Sequence, residues 1–312
     1  MININTTYTD IAKENHWASL ENLLKKRLKY TSLPNNIKEY IGKHLKEIII
    51  APPKKLIKIN DDFVNKIRGV DKTIYDKKLK KLFKYDAFDD KDSVYNAYHL
   101  AENIKINTCP YCNRQYTITI TGSTRSDKVT RPQFDHFFKQ SKYPLLALSF
   151  YNLIPSCSIC NSTIKHEKDF SLRTHIHPYI DHITDKFEFI YTLDTMNKCK
   201  DIKLKYKNCP EANKIKRTFD DMKVETIYNG HKFLIDQILE LKNTLNDDYL
   251  EILTRHSYDG LTSWTPQEAY LYAFGVYYEE EKLHIHPFSK LKKDILKSVA
   301  MLSVFNSIGN KP

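Results

Sequence analysis

The chain has 312 residues, with 49 Lys and Arg against 38 Asp and Glu, a formal charge of +11. That length supports a sizeable core in one large domain or in two to three packed modules, and excludes a single small scaffold. The cationic surplus suits a polyanionic partner, since each phosphate neutralised releases counterions, but it does not prove one. Residues 1–10 lack a basic head followed by an apolar run, and no stretch approaches the roughly 18 consecutive apolar residues of a membrane span. A soluble, cytoplasmic protein with reduced thiols and no membrane partner is therefore expected.

Ile11, Trp17, Leu20, Leu23, Leu24 and Leu28 recur with a helical period over residues 10–29, with Lys and Arg on the remaining face. Breakers at 32–36 separate this stretch from a second helical one, 37–50, carrying Ile41, Leu45 and Ile48 and stopped by Pro52 and Pro53. Helical spacing continues over 61–104 through Phe63, Ile67 and Val70, then Leu79, Leu82 and Phe83, then Tyr95, Tyr98 and Leu100. The many lysines of these first hundred residues could follow a phosphate backbone, although a run of charge on a helix is usually a solvated face.

Residues 115–121 alternate polar and β-branched side chains, Gly122-Ser123 offers a turn, and 129–134 is extended again. This predicts a hairpin whose second strand delivers Asp135 and His136. A short apolar helical turn at 145–150 follows, then a helix over 161–169 with Asn161 and Lys165 on one face. Farther on, strands are expected at 186–193 and 201–206, and helices over 213–255, 266–278 and 288–305.

Four cysteines form two matched pairs, Cys109-Pro-Tyr-Cys112 and Cys157-Ser-Ile-Cys160. Each spacing lets two sulfurs reach one tetrahedral ion from a tight knuckle, so a structural zinc held by all four is expected. Cys199 and Cys209 read as packing thiols, and His175, His177, His231, His284 and His286 as structural histidines. The expected architecture is α+β. It comprises an N-terminal helical module (1–105), a zinc-stapled central module (106–170) and a mostly helical C-terminal module with a few strands (171–312).

Between the knuckles lie Phe134-Asp135-His136-Phe137, Ser141-Lys142-Tyr143-Pro144 and Tyr151-Asn152-Leu153-Ile154-Pro155, and Asn161 follows Cys160 directly. This set resembles the HNH endonucleases, and more narrowly the PtuB-like HNH nucleases of Septu and retron antiviral systems. The resemblance covers residues 109–165, with weaker echoes in Tyr228-Asn-Gly-His-Lys232 and in the run from His286 to Ile295. It implies a ββα-metal module that hydrolyses phosphodiester bonds of nucleic acid, DNA by default with RNA left open, using Mg²⁺ or Mn²⁺. His136 would be the general base, because an imidazole with an ordinary pKa of about 6.5 is neutral at physiological pH. Asp135 and Asn161 would hold the catalytic ion and Asn152 would brace the loop behind His136, while Arg114 and Lys165 flank the motif as candidate phosphate contacts.

Two positions depart from the group's pattern. Asn161 stands where many relatives have His, and Lys139 where the group has Pro, which would loosen the loop after His136 or add a phosphate contact. The resemblance also implies company: an ABC-type ATPase, sometimes with a retron reverse transcriptase and its noncoding RNA. Two other readings stay open at this point, a catalytically inactive zinc-dependent nucleic-acid-binding or adaptor protein, and a redox protein using its Cys-x-x-Cys pairs.

Overall fold

A computed structural model describes residues 1–4, 8–123, 127–244 and 266–299. Residues 245–255 and 300–305, expected as continuations of helices, lie outside the described residues. Among the described residues the fold is mixed, with helices dominating and three small two-stranded sheets. The chain divides into two compact units. One comprises Ile4–Ile106 and Thr117–Ile180, the other Met1–Asn3, Asn107–Tyr116 and Asp181–Pro312.

In the first unit, six helices precede the sheets: α1 (Thr9–Tyr30), α2 (Asn35–Ile50), α3 (Pro53–Lys66), α4 (Lys72–Leu82), α5 (Tyr85–Asp89) and α6 (Ala97–Ile104). The helical period read from sequence coincides only in part with the buried stripe, since Trp17, Leu20 and Leu24 are buried whereas Ile11 and Leu23 face outward. In α1 the stripe is Ala12, His16, Trp17, Leu20 and Leu24, and in α2 it is Ile37, Ile41, Leu45, Ile48 and Ile49. Punctuation is local: Pro53 sits in the first turn of α3, where its missing N–H costs nothing. Asp71 accepts from the Thr73 N–H to cap α4, and Asn96 with His99 forms a reciprocal capping box on α6.

The strands of this unit depart from the expected hairpin. Ile120–Thr121 (β1) pairs with Lys128–Thr130 (β2), but the strand carrying the Asp-His pair, Gln133–His136 (β3), pairs antiparallel with Leu153–Ser156 (β4). Pro132, which has no N–H to give a ladder, separates β2 from β3 and lets the chain change partners. Tight helical turns at Pro144–Leu146 and Phe150–Asn152 occupy the loop between β3 and β4. The predicted helix beyond the second knuckle is a single wide turn, Ile159–Lys165, closed by the bond from His166 N–H to Asn161 carbonyl (3.0 Å).

In the second unit, the two strands expected from alternation, β5 (Phe187–Leu193) and β6 (Cys199–Tyr206), pair antiparallel. Helices α7 (Ala212–Asp221), α8 (Val224–Asn229), α9 (Phe233–Thr244), α10 (Pro266–Phe274) and α11 (Ser289–Ser298) follow, and α11 packs on β5. Among the described residues, no helix is long and apolar enough to cross a membrane.

One buried histidine ties α1 to the loop before β4. His16 Nε2 donates to the Leu148 carbonyl (2.8 Å), which fixes the tautomer and leaves Nδ1 to accept from the Tyr95 hydroxyl (2.8 Å). Burial pushes its pKa down to about 4. The unfolded chain binds a proton here that the folded chain refuses, so this contribution is complete above the ordinary histidine range and is lost as pH falls through it. Between pH 7 and pH 5 the loss is roughly 2 kcal/mol. Denaturant midpoints measured across that window should fall with acidity, and His16→Gln should flatten the slope.

Candidate active site

Three successive carbonyls of the loop before β4 each accept a hydrogen bond from a buried or half-buried side chain. Asn152 Nδ2 donates to Leu146 (2.9 Å), His136 Nε2 to Ala147 (2.9 Å) and His16 Nε2 to Leu148 (2.8 Å). Because a carbonyl can only accept, the proton of neutral His136 sits on Nε2, and Nδ1 presents a lone pair. Burial lowers the His136 pKa, partly opposed by the Ala147 carbonyl, so the imidazole is neutral at physiological pH. The Tyr85 ring meets it edge-on, with centroids 4.6 Å apart.

Asn152 is fully buried and does more than hold Leu146. Its Oδ1 accepts from the Phe138 N–H (2.6 Å) and its Nδ2 also reaches the Phe138 carbonyl (3.2 Å). It therefore clamps the backbone just after His136 to the loop that fixes the imidazole.

Strand alternation places Gln133 and Asp135 on one face of β3 and His136 on the other. The wide turn after the second knuckle lies against the Gln133 face. There Asn161 Nδ2 (3.0 Å) and Ser162 Oγ (3.0 Å) both donate to Gln133 Oε1, and Asn161 Oδ1 is unengaged among the described residues. Lys165 donates to Asp135 Oδ1 (2.9 Å) and to the His136 carbonyl (2.7 Å), its side chain only 3% exposed beside an aspartate at 6%. Asn161 and Lys165 do share a face. Lys165, read from sequence as a candidate phosphate contact, is here the buried counter-ion of Asp135, a placement that composition could not reveal.

The remaining predicted positions fall elsewhere. Arg114 belongs to the second unit and is half-buried, its Nε without a hydrogen-bond partner among the described residues. Lys139 neither frays the loop nor faces outward alone: it pairs with Glu167, as Lys142 does with Asp169 (2.6 Å), and its carbonyl closes a turn with the Tyr143 N–H (2.9 Å). Sequence reasoning does not single out Tyr85, Gln133 or His16. Gln133 carries a signal, lying two residues before Asp135 in a strand and hence on its face, whereas Tyr85 and His16 reach the motif only through tertiary packing.

The four cysteines are all buried, and their sulfurs lie within 4.8 Å of one another. Thiolates around a tetrahedral zinc at about 2.3 Å sit roughly 3.8 Å apart, so this cluster has the donor set and compactness to hold such an ion. Each knuckle is internally braced. The Asn113 N–H returns to the Cys109 carbonyl (2.7 Å), and the Cys160 N–H points at Cys157 Sγ (3.4 Å). Tyr228 donates to the Cys112 carbonyl (2.7 Å), and Asn113 gathers the Leu283 and His286 carbonyls and Ser289 Oγ. The two weaker sequence echoes, around 228 and 286, thus buttress the first knuckle. Among the described residues, no other group of three or more His, Cys, Asp or Glu side chains is arranged for a metal.

Compared with protein-family models, curated proteins and solved structures, the chain finds no match.

Two outcomes follow from this geometry. Cys112→Ser should remove tightly bound zinc, read by elemental analysis, and lower the melting temperature; retention of both would show the cluster to be a plain thiol core. Lys165→Met should leave a buried carboxylate without its partner and cost about 3–5 kcal/mol. Added Mn²⁺ should restore part of that loss in a thermal melt if Asp135 is an ion ligand, and should do nothing if it is not.

Proposed function

We propose that this chain is an HNH-type, metal-dependent endonuclease that hydrolyses phosphodiester bonds of nucleic acid, acting as the effector nuclease of an antiviral defence system. The observation that carries the reading is the state of His136: neutral, locked by the Ala147 carbonyl into the tautomer that offers Nδ1 as a proton acceptor. That is what a general base requires before water can attack phosphorus. The motif order of strand, strand and helical turn, with four cysteines able to hold a structural zinc, is consistent with the module that the resemblance implies.

Asp135 and Asn161 supply the oxygen donors that would hold a hard divalent ion, Mg²⁺ or Mn²⁺, which when bound stabilises charge on the phosphate and the leaving oxygen. Lys165 already balances the Asp135 charge, so it must share or yield that carboxylate. Asn152 does not touch the reacting atoms; it positions His136 through the Phe138 backbone. DNA is the default substrate and RNA an open alternative, since phosphate chemistry alone does not choose between them. The family resemblance extends the proposal to an ABC-type ATPase partner, and to a retron reverse transcriptase with its noncoding RNA.

The buried pair of Asp135 and Lys165 favours a second reading, a catalytically inactive nucleic-acid-binding or adaptor protein in which the ammonium permanently fills the ion's place. Plasmid and bulk RNA incubated with Mg²⁺ or Mn²⁺ separate the two, alone and with any co-purifying ATPase. The wild type should cleave and His136→Ala should lose about 10²- to 10⁴-fold in rate while keeping its zinc and its fold. Equal inertness of both proteins would establish the inactive reading.

A further inference from the structure

A cleft of about 580 Å³ opens between the C-terminal part of α1 and the length of α4. Arg27, Lys77, Lys78 and Lys81 line it with Tyr30 and Ile74, and no carboxylate is among the lining residues. Among the described residues, none of the four cations has an ion-pair partner within 4.0 Å; Arg27 and Lys78 instead donate to the Leu82 and Ser32 carbonyls. Helix dipoles account for Lys81 in the last turn of α4, but not for Lys77 and Lys78 one turn earlier, nor for Arg27 reaching across from α1. Arg27 is half-buried, and that burial lowers its pKa, the mark of a cation that has lost water without gaining an anion.

The apolar component points to more than a bare phosphate. Tyr30 is 73% exposed at the end of α1 and Ile74 stands open on α4, so an aromatic face and an aliphatic side chain border the cationic row. The volume lies in the range of pockets that take a small organic ligand or a short polymer segment. Lys77 and Lys81, four residues apart on one helix face, are separated by about 6 Å along the axis, a spacing suited to successive charges of an extended polyanion.

We infer that this cleft holds single-stranded nucleic acid, the lysine row and Arg27 contacting backbone phosphates while a base stacks on Tyr30. The inference deepens the nuclease reading and rests on it for the identity of the polyanion. It also gives that reading a path within one unit: α4 packs against the turn Pro144–Leu146, and Tyr85, three residues past the end of α4, touches His136. A duplex backbone offers no exposed base face and an acidic peptide offers no base at all, so Tyr30 distinguishes both from the proposed occupant.

The test is fluorescence anisotropy of the full chain, without added divalent ion, against oligo-dT, oligo-U, a duplex of equal length and poly-glutamate. Replacing Lys77 and Lys81 together by Gln should weaken single-strand binding several-fold and flatten the salt dependence by about 1.4, near 0.7 for each phosphate no longer neutralised. Tyr30→Ser should weaken single strands by about fivefold or more and leave the duplex unchanged. Unaltered binding in both variants overturns the inference, as does an equal loss on duplex and single strands in Tyr30→Ser, or a loss confined to poly-glutamate. A wild type that binds no nucleic acid would defeat the nuclease reading as well; one that binds and cleaves normally while the cleft variants bind like it defeats only the cleft.

Discussion

The loop between β3 and β4 has to satisfy its own backbone in a place where water does not reach, and much of the candidate site is arranged around that need. An unpaired buried carbonyl costs about 1–3 kcal/mol, so the row at Leu146, Ala147 and Leu148 demands donors. Asn152, His136 and His16 provide them in register. One of these donors is the candidate base itself. Its tautomer is thus settled by the backbone it stabilises, and packing and chemistry are the same bond seen from its two ends.

The other face of β3 is governed by charge. Asp135 is buried, which an isolated carboxylate does not tolerate, and Lys165 on the following helical turn supplies the compensating ammonium together with a bond to the His136 carbonyl. Adjacent residues in sequence therefore sit in contrasting surroundings, one against aromatic and carbonyl groups, one against a cation and amides.

Much of this is legible in the amino-acid order, because short-range patterns carry it. The apolar stripes of α1 and α2 follow from helical periodicity, β5 and β6 from alternation, and the sulfur cluster from two matched knuckles. The brace expected of Asn152 has the form of one in its three bonds to Phe138 and Leu146. What escapes is non-local. Hairpin signals favour the nearest extended neighbour, whereas β3 passes over β2 to pair with a strand beyond two helical turns. Lys165 resembles a surface cation because sequence does not show burial, and Tyr85 and His16 come from helices with no local link to the motif.

Consider finally how small the β3 and β4 ribbon is: four residue pairs, closed at one end by Asn152 and covered by the Tyr85 and Phe88 rings of α5. A two-stranded ribbon of that length is at best marginal by itself in water. Its geometry is on loan from the helices around it. The motif is consequently not a portable cassette: residues 133–165 cut out and grafted onto another scaffold would carry the right letters without the partners that give them shape. Diversification of such a centre is correspondingly easier at its helical periphery, where side chains can change one at a time, than within the ribbon, where every residue answers to several neighbours at once.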